Sequence, residues 1–228
     1  MERELNSRLS KAQAIAVLVW LPVHSFLLPT LAVFLIRRGI LPYSLADLAI
    51  YAAGAVYMLA VLWRFLRRDF DPLWEHPFRV LLMVFGGYLA SIYGQVLVGN
   101  LLDLLSVTAQ NENNAAVEEL AKAQLNTTTV MAVFMAPLVE EGMFRAGIFG
   151  LLRRKHRVLA YVLSTLLFGL YHVWSEAIYD PIQLVFILQY VPSSLVLAYI
   201  YDRTDSIWSS IFLHMLTNGI AIAALLTQ

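Results

Sequence analysis

Two carboxylates and a guanidinium lie inside an apolar stretch at Ala136-Pro137-Leu138-Val139-Glu140-Glu141-Gly142-Met143-Phe144-Arg145. Farther along, Phe168 precedes His172 and His214 precedes Asn218, each pair at a spacing of four. Ionisable groups are costly within a membrane span and mark function there. Glu141 and Arg145 are placed to pair on one helix face, which on its own reads as a buried ion pair locking helices. Glu140 points about 100° away and is left without that partner. His214 and Asn218 share a face. A single buried histidine is more often a packed residue than a catalyst. Two of them, together with a spare carboxylate and an amide, are a coincidence that points to a functional site.

The elements that position these groups are set by composition. The 228 residues are 60% hydrophobic and 14% charged, whereas soluble domains carry about a quarter charged residues. With a mean hydropathy of +0.68, most of this surface has lipid as its solvent. The charges balance at 16 basic and 16 acidic residues, so nothing points to nucleic acid as a partner. The absence of cysteine excludes disulfides, thiolate metal sites and cysteine nucleophiles. The end of the chain, Leu225-Leu226-Thr227-Gln228, offers no lipidation signal.

A span needs about 20 apolar residues. Segments 12–36, 44–63, 78–103, 127–151, 158–172, 181–200 and 207–227 qualify. The expected fold is therefore all-α, a polytopic bundle of about seven membrane helices, with a short fifth span whose full crossing is left open. The first run is longer than a signal-peptide core and reads as a retained helix, although Arg3, Arg8 and Lys11 precede it. Basic residues number 12 on one side of the bundle and 3 on the other, with Arg145 inside a span. The positive-inside rule then predicts a cytosolic N-terminus and an external C-terminus. Glu140, His172 and His214 lie 13, 15 and 11 residues from Arg153, Arg157 and Arg203. At 1.5 Å per residue these are depths of ~20, ~22 and ~16 Å, one layer near mid-membrane.

Several other features carry weaker signals. Pro137 and Gly142 predict an irregular backbone around the carboxylates. His24 reads as a packed residue, and Gln95 and Asn100 as helix-packing polar groups. The outer connection 104–126 holds Asn111-Glu112-Asn113-Asn114, then Val117, Leu120, Ala121 and Leu125 at helical spacing. It reads equally as a short interfacial helix or a solvated loop. With no repeat or linker, 1–228 is expected to form one membrane domain. Residues 1–126 would supply accessory helices and the outer loop, and 127–228 a catalytic core.

Glu140-Glu141-x-x-x-Arg145, Phe168-x-x-x-His172 and His214-x-x-x-Asn218 resemble the three motifs of the CAAX protease and bacteriocin-processing family, which includes the CAAX prenyl endopeptidases and the bacterial Abi-type proteins. The resemblance covers 127–228 and departs from the pattern at Ala146, where glycine is common. It implies an intramembrane endopeptidase in which Glu140 is the general base and His172 holds and polarises the water. His214 and Asn218 would donate to the oxyanion, and Glu141, Arg145 and Phe168 would support them. The substrate would be a membrane-associated or lipid-modified protein or peptide, and the location a bacterial cytoplasmic membrane. No cofactor is expected. Zinc on Glu140, His172 and His214 is the alternative, although the short H-E-x-x-H arrangement is missing. Two other classes compete: a proton-coupled transporter, since buried Glu/His clusters also relay protons, and a non-enzymatic bacteriocin-immunity or scaffold protein.

Overall fold

A computed structural model describes residues 6–225. Arg3 and residues 226–228, which entered the readings above, lie outside the described residues. The described residues form eight principal helices: α1 (Lys11–Arg37), α2 (Ala46–Arg68), α3 (Pro77–Leu104), α4 (Glu112–Ala123), α5 (125–153), α6 (Arg157–Ala177), α7 (Ile187–Thr204) and α8 (Ile207–Leu225). No strand occurs among the described residues. Six of these elements are long and apolar enough to cross a membrane. The seventh of the expected set, α5, carries Glu140, Glu141, Arg145 and Arg153, and the bundle solves that problem by enclosing it. Every residue from Val139 to Gly150 is buried, so its charges meet protein rather than lipid.

The backbone of α5 departs from α-helical geometry where Pro137 and Gly142 predict it. Val130–Met135 and Gly142–Phe149 are π-helical, flanking a short α segment at Ala136–Glu141. Pro137 donates no backbone hydrogen bond, which favours a widened turn before it. Glycines then let neighbours close in. A Cβ on Gly147 would lie 2.7 Å from Val17 of α1, and one on Gly142 would lie 2.9 Å from the Met58 sulfur of α2. Small residues at crossings replace the hydrophobic drive that lipid removes.

The fifth span is longer than the expected 158–172. α6 runs over 21 residues, ~31 Å at 1.5 Å per residue, enough to cross. The hydropathy drop after His172 marks a change of environment rather than the end of the helix. The connection 104–126 contains α4, so it is helical rather than an irregular loop there. Gln95 bonds the Gln189 carbonyl at 2.7 Å, joining α3 to α7, whereas Asn100 is exposed.

Polar side chains fasten the end of the bundle that carries the basic loops. Asp69, after α2, accepts from the Ile207 backbone at 2.6 Å and from Ser7 Oγ at 2.8 Å. Asp202 of α7 takes Arg153 at 2.8 Å, Arg157 at 3.0 Å and Tyr161 at 3.0 Å, gathering α5, α6 and α7. At mid-bundle α3 and α7 touch directly, and a Cβ on Gly94 would lie 2.5 Å from Pro192 Cβ. Gly94→Ala is therefore expected to push the two helices apart and cost ~1–3 kcal/mol, as overpacking does. A lowered thermal unfolding midpoint in detergent checks it.

Candidate active site

Glu140 sits on the α segment of α5 and is 2% exposed. Its Oε1 accepts a hydrogen bond from Tyr51 of α2 at 3.0 Å. Its Oε2 is buried and accepts from no protein group. Two imidazole nitrogens face that oxygen: His172 Nε2 at 3.6 Å and His214 Nε2 at 3.7 Å. Three helices thus bring these groups to one point.

The far side of each ring fixes its orientation. His172 Nδ1 donates to the Phe168 carbonyl at 2.8 Å. His214 Nδ1 donates to Glu141 Oε1 at 2.9 Å. A neutral imidazole donates through one nitrogen only, so Nε2 of each ring presents a lone pair to the site. An oxygen and two nitrogens, all acceptors, then surround a space that asks for a donor such as water.

Glu141 does more than pair with Arg145. The ion pair is present at 3.2 Å with both side chains fully buried. Glu141 also takes Ser210 Oγ at 2.5 Å and holds His214. Arg145 reaches the Ser194 hydroxyl at 3.1 Å and lies 4.3 Å from the Phe168 ring centroid. A desolvated cation over an aromatic face gains ~2 kcal/mol. Phe168 therefore serves twice, through its carbonyl on His172 and its ring on Arg145.

Asn218 lies one turn beyond His214 and lines the same cavity of about 450 Å³. Its Nδ2 donates to the Ala132 carbonyl in the first π-helical turn at 2.7 Å. One amide hydrogen is thereby used, and one is left for the cavity.

Tyr51 is a contact that sequence reasoning missed. Its hydroxyl also meets that of Tyr171 at 3.0 Å. Since Tyr51 donates to Glu140, Tyr171 donates to Tyr51, and the pair forms a chain ending on the carboxylate. Tyrosine in an apolar span carries no formal charge, so the search for ionisable residues passed over it. His24 is buried beside these rings, 5.3 Å from Tyr51 and 6.2 Å from Tyr171 between centroids, and makes no hydrogen bond. It is packed, as expected.

Tetrahedral zinc with ligand bonds of ~2.0–2.1 Å sets ligand atoms about 3.4 Å apart; the two nitrogens stand 3.6 and 3.7 Å from Glu140 Oε2. Among the described residues no group of three or more His, Asp or Glu side chains is placed to hold one ion.

A helical membrane bundle with a buried carboxylate facing two imidazoles is thus the class that fold and site define. Residues 123–220 match the model of the type II CAAX prenyl endopeptidase Rce1-like family. The chain is also similar to a protein of Bacillus subtilis (strain 168) named as a candidate membrane peptidase, YdiL, at 25% identity over 144 residues. That match covers 62% of this chain and 55% of the relative's own length. No solved structure matches significantly.

Proposed function

We propose that the protein is an intramembrane endopeptidase that uses Glu140 as the general base for a water. The observation that carries this is the convergence of Glu140 Oε2, an acceptor without a protein donor, with two Nε2 lone pairs. A water donating one hydrogen to Glu140 and the other to His172 keeps a lone pair for a peptide carbonyl. Attack transfers one water proton to Glu140 and puts negative charge on the carbonyl oxygen. A proton taken up from solvent on His214 Nε2 before attack lets the ring donate from Nδ1 to Glu141 and from Nε2 to that oxyanion. The second Asn218 hydrogen supplies another donor, and such donors contribute about 3–4 kcal/mol each in the transition state. Glu140 then returns the proton to the leaving amine.

Tyr51 positions the base. Its bond to Oε1 keeps Oε2 turned to the cavity. Tyr51→Phe is expected to lower kcat about tenfold, the worth of one hydrogen bond to a charged acceptor, with KM unchanged. Tyr171→Phe leaves the bond to Glu140 in place and is expected to cost less. An equal loss in both variants, or a change confined to KM, contradicts the assignment.

The test of function is reconstitution in liposomes with a membrane-protein extract, followed by mass spectrometry of new peptide termini. Termini are expected with wild-type protein and are expected to persist with a zinc chelator. Loss of cleavage on chelation, restored by zinc, would replace the metal-free reading. Solute uptake without new termini would favour a transporter, and a biological effect that survives loss of Glu140 would favour an immunity or scaffold role.

A further inference from the structure

The tract Asn111-Glu112-Asn113-Asn114 has no part in the chemistry, yet it is held by hydrogen bonds to Gln183, Gln189 and Tyr190. Asn111 caps α4 by accepting from the Asn114 backbone. Asn111 and Asn113 both donate to the Tyr190 hydroxyl, at 3.3 and 3.0 Å, and that hydroxyl donates to Asn114 at 3.0 Å. The phenol is saturated by these bonds. Its ring stacks on His172, with centroids 4.4 Å apart and planes 22° from parallel. The start of α4 is therefore latched to a ring that rests on a site histidine.

The cavity reaches α4. Asn113, Asn114, Val117 and Glu118 of that helix line it together with Glu140 and the histidines. Its walls come from the halves of α3, α5, α6, α7 and α8 that lie away from the basic loops. Tyr51 and His172 each sit five residues from the α4 end of their helices, at Ala46 and Ala177, a depth of ~8 Å. The polar stitching at Asp69 and Asp202 closes the opposite end.

The lining also selects. It combines the amides of Gln95, Asn113, Asn114 and Gln189 with the apolar side chains of Met131, Leu213 and Ile222. Primary amides can pair with the free N–H and C=O groups of an extended backbone, while apolar lining residues accept its side chains. The charged side chains among the described lining residues, histidines aside, are Glu118 and Glu140, both acidic. Arginine and lysine, which receive carboxylates elsewhere, are absent from that lining.

We propose that, as the substrate of the peptidase inferred above, this cavity admits an extended peptide segment lacking a carboxylate near the cleaved bond, which enters beneath α4 from the face opposite the basic loops. The helix is the cover, and the asparagine latch on Tyr190 holds it shut. By the positive-inside rule that face is extracytosolic.

The cysteine-free chain allows a direct test in the full-length protein. Thr217→Cys, on the cavity wall, and Lys155→Cys, in a basic loop, are treated in sealed membrane vesicles of either orientation with a membrane-impermeant cationic methanethiosulfonate. Thr217→Cys is expected to react from the face at which Lys155→Cys is silent, and several-fold faster when Asn113→Ala is added. A short apolar peptide blocked at both ends is expected to slow the reaction, and the same peptide with a central glutamate to leave it unchanged. Reaction only from the Lys155 face overturns the route. So does reaction from neither face when the unfolded protein labels normally. Equal protection by the glutamate peptide overturns the substrate class. Labelling needs no catalysis and is also read in Glu140→Gln, so failure here and failure of the peptidase reading are separate results.

Discussion

Glu140→Gln is expected to lower the cleavage rate by about 10²- to 10⁴-fold, the range of general-base contributions, and to leave the protein folded. Glutamine keeps the shape of the side chain and an acceptor for the Tyr51 hydroxyl, so the contact at Oε1 survives. The amide cannot take a proton from water. Oε2 has no protein donor to lose, so the packing around residue 140 has little reason to change. The check pairs a cleavage assay with a thermal unfolding curve of the same preparation. Wild-type turnover in a folded Glu140→Gln protein would end the assignment of the base.

Glu141→Gln is expected to damage the fold. Arg145 is fully buried, and Glu141 is its ion-pair partner. Removing one member of a buried pair costs ~3–5 kcal/mol, because the remaining charge is stranded in low dielectric. Ser194 and the Phe168 ring still face the guanidinium, but neither carries a negative charge. The double variant Glu141→Gln/Arg145→Met removes both charges and is expected to recover much of the lost stability. It is not expected to recover activity, because His214 Nδ1 then meets a neutral amide in place of a carboxylate. Unfolding curves and cleavage rates for both variants separate these effects. If the double variant regains activity with stability, Glu141 acts only through Arg145.

The two neighbouring glutamates show how far the sequence could be read. Their spacing against Arg145 already separated a paired carboxylate from a spare one, because side-chain direction on a helix follows from residue number. The same geometry put His214 and Asn218 on one face. The bond from Glu141 to His214 was beyond reach, since it depends on how α5 and α8 rotate about their axes, and π-helical turns alter that rotation. Tyr51 was hidden for a related reason. Its helix carries no motif, and only the crossing of α2 against α5 brings its hydroxyl to Glu140. The length of α6 was underestimated because hydropathy reports the solvent around a helix and not its hydrogen bonding. The outer helix α4 left a pattern that fitted two readings. What decided between them was a set of long-range bonds to Gln189 and Tyr190, which local spacing does not contain.

The claim that Glu140 and His172 act on one water is tested most directly by a double-mutant comparison on a single identified cleavage. Groups that serve one step as a unit lose most of the rate when either is removed, and further removal costs little. Cleavage by Glu140→Gln/His172→Ala is therefore predicted to be no slower than by Glu140→Gln alone. Losses that multiply across the two substitutions in folded proteins would contradict the account, because the carboxylate and the imidazole would then be working independently.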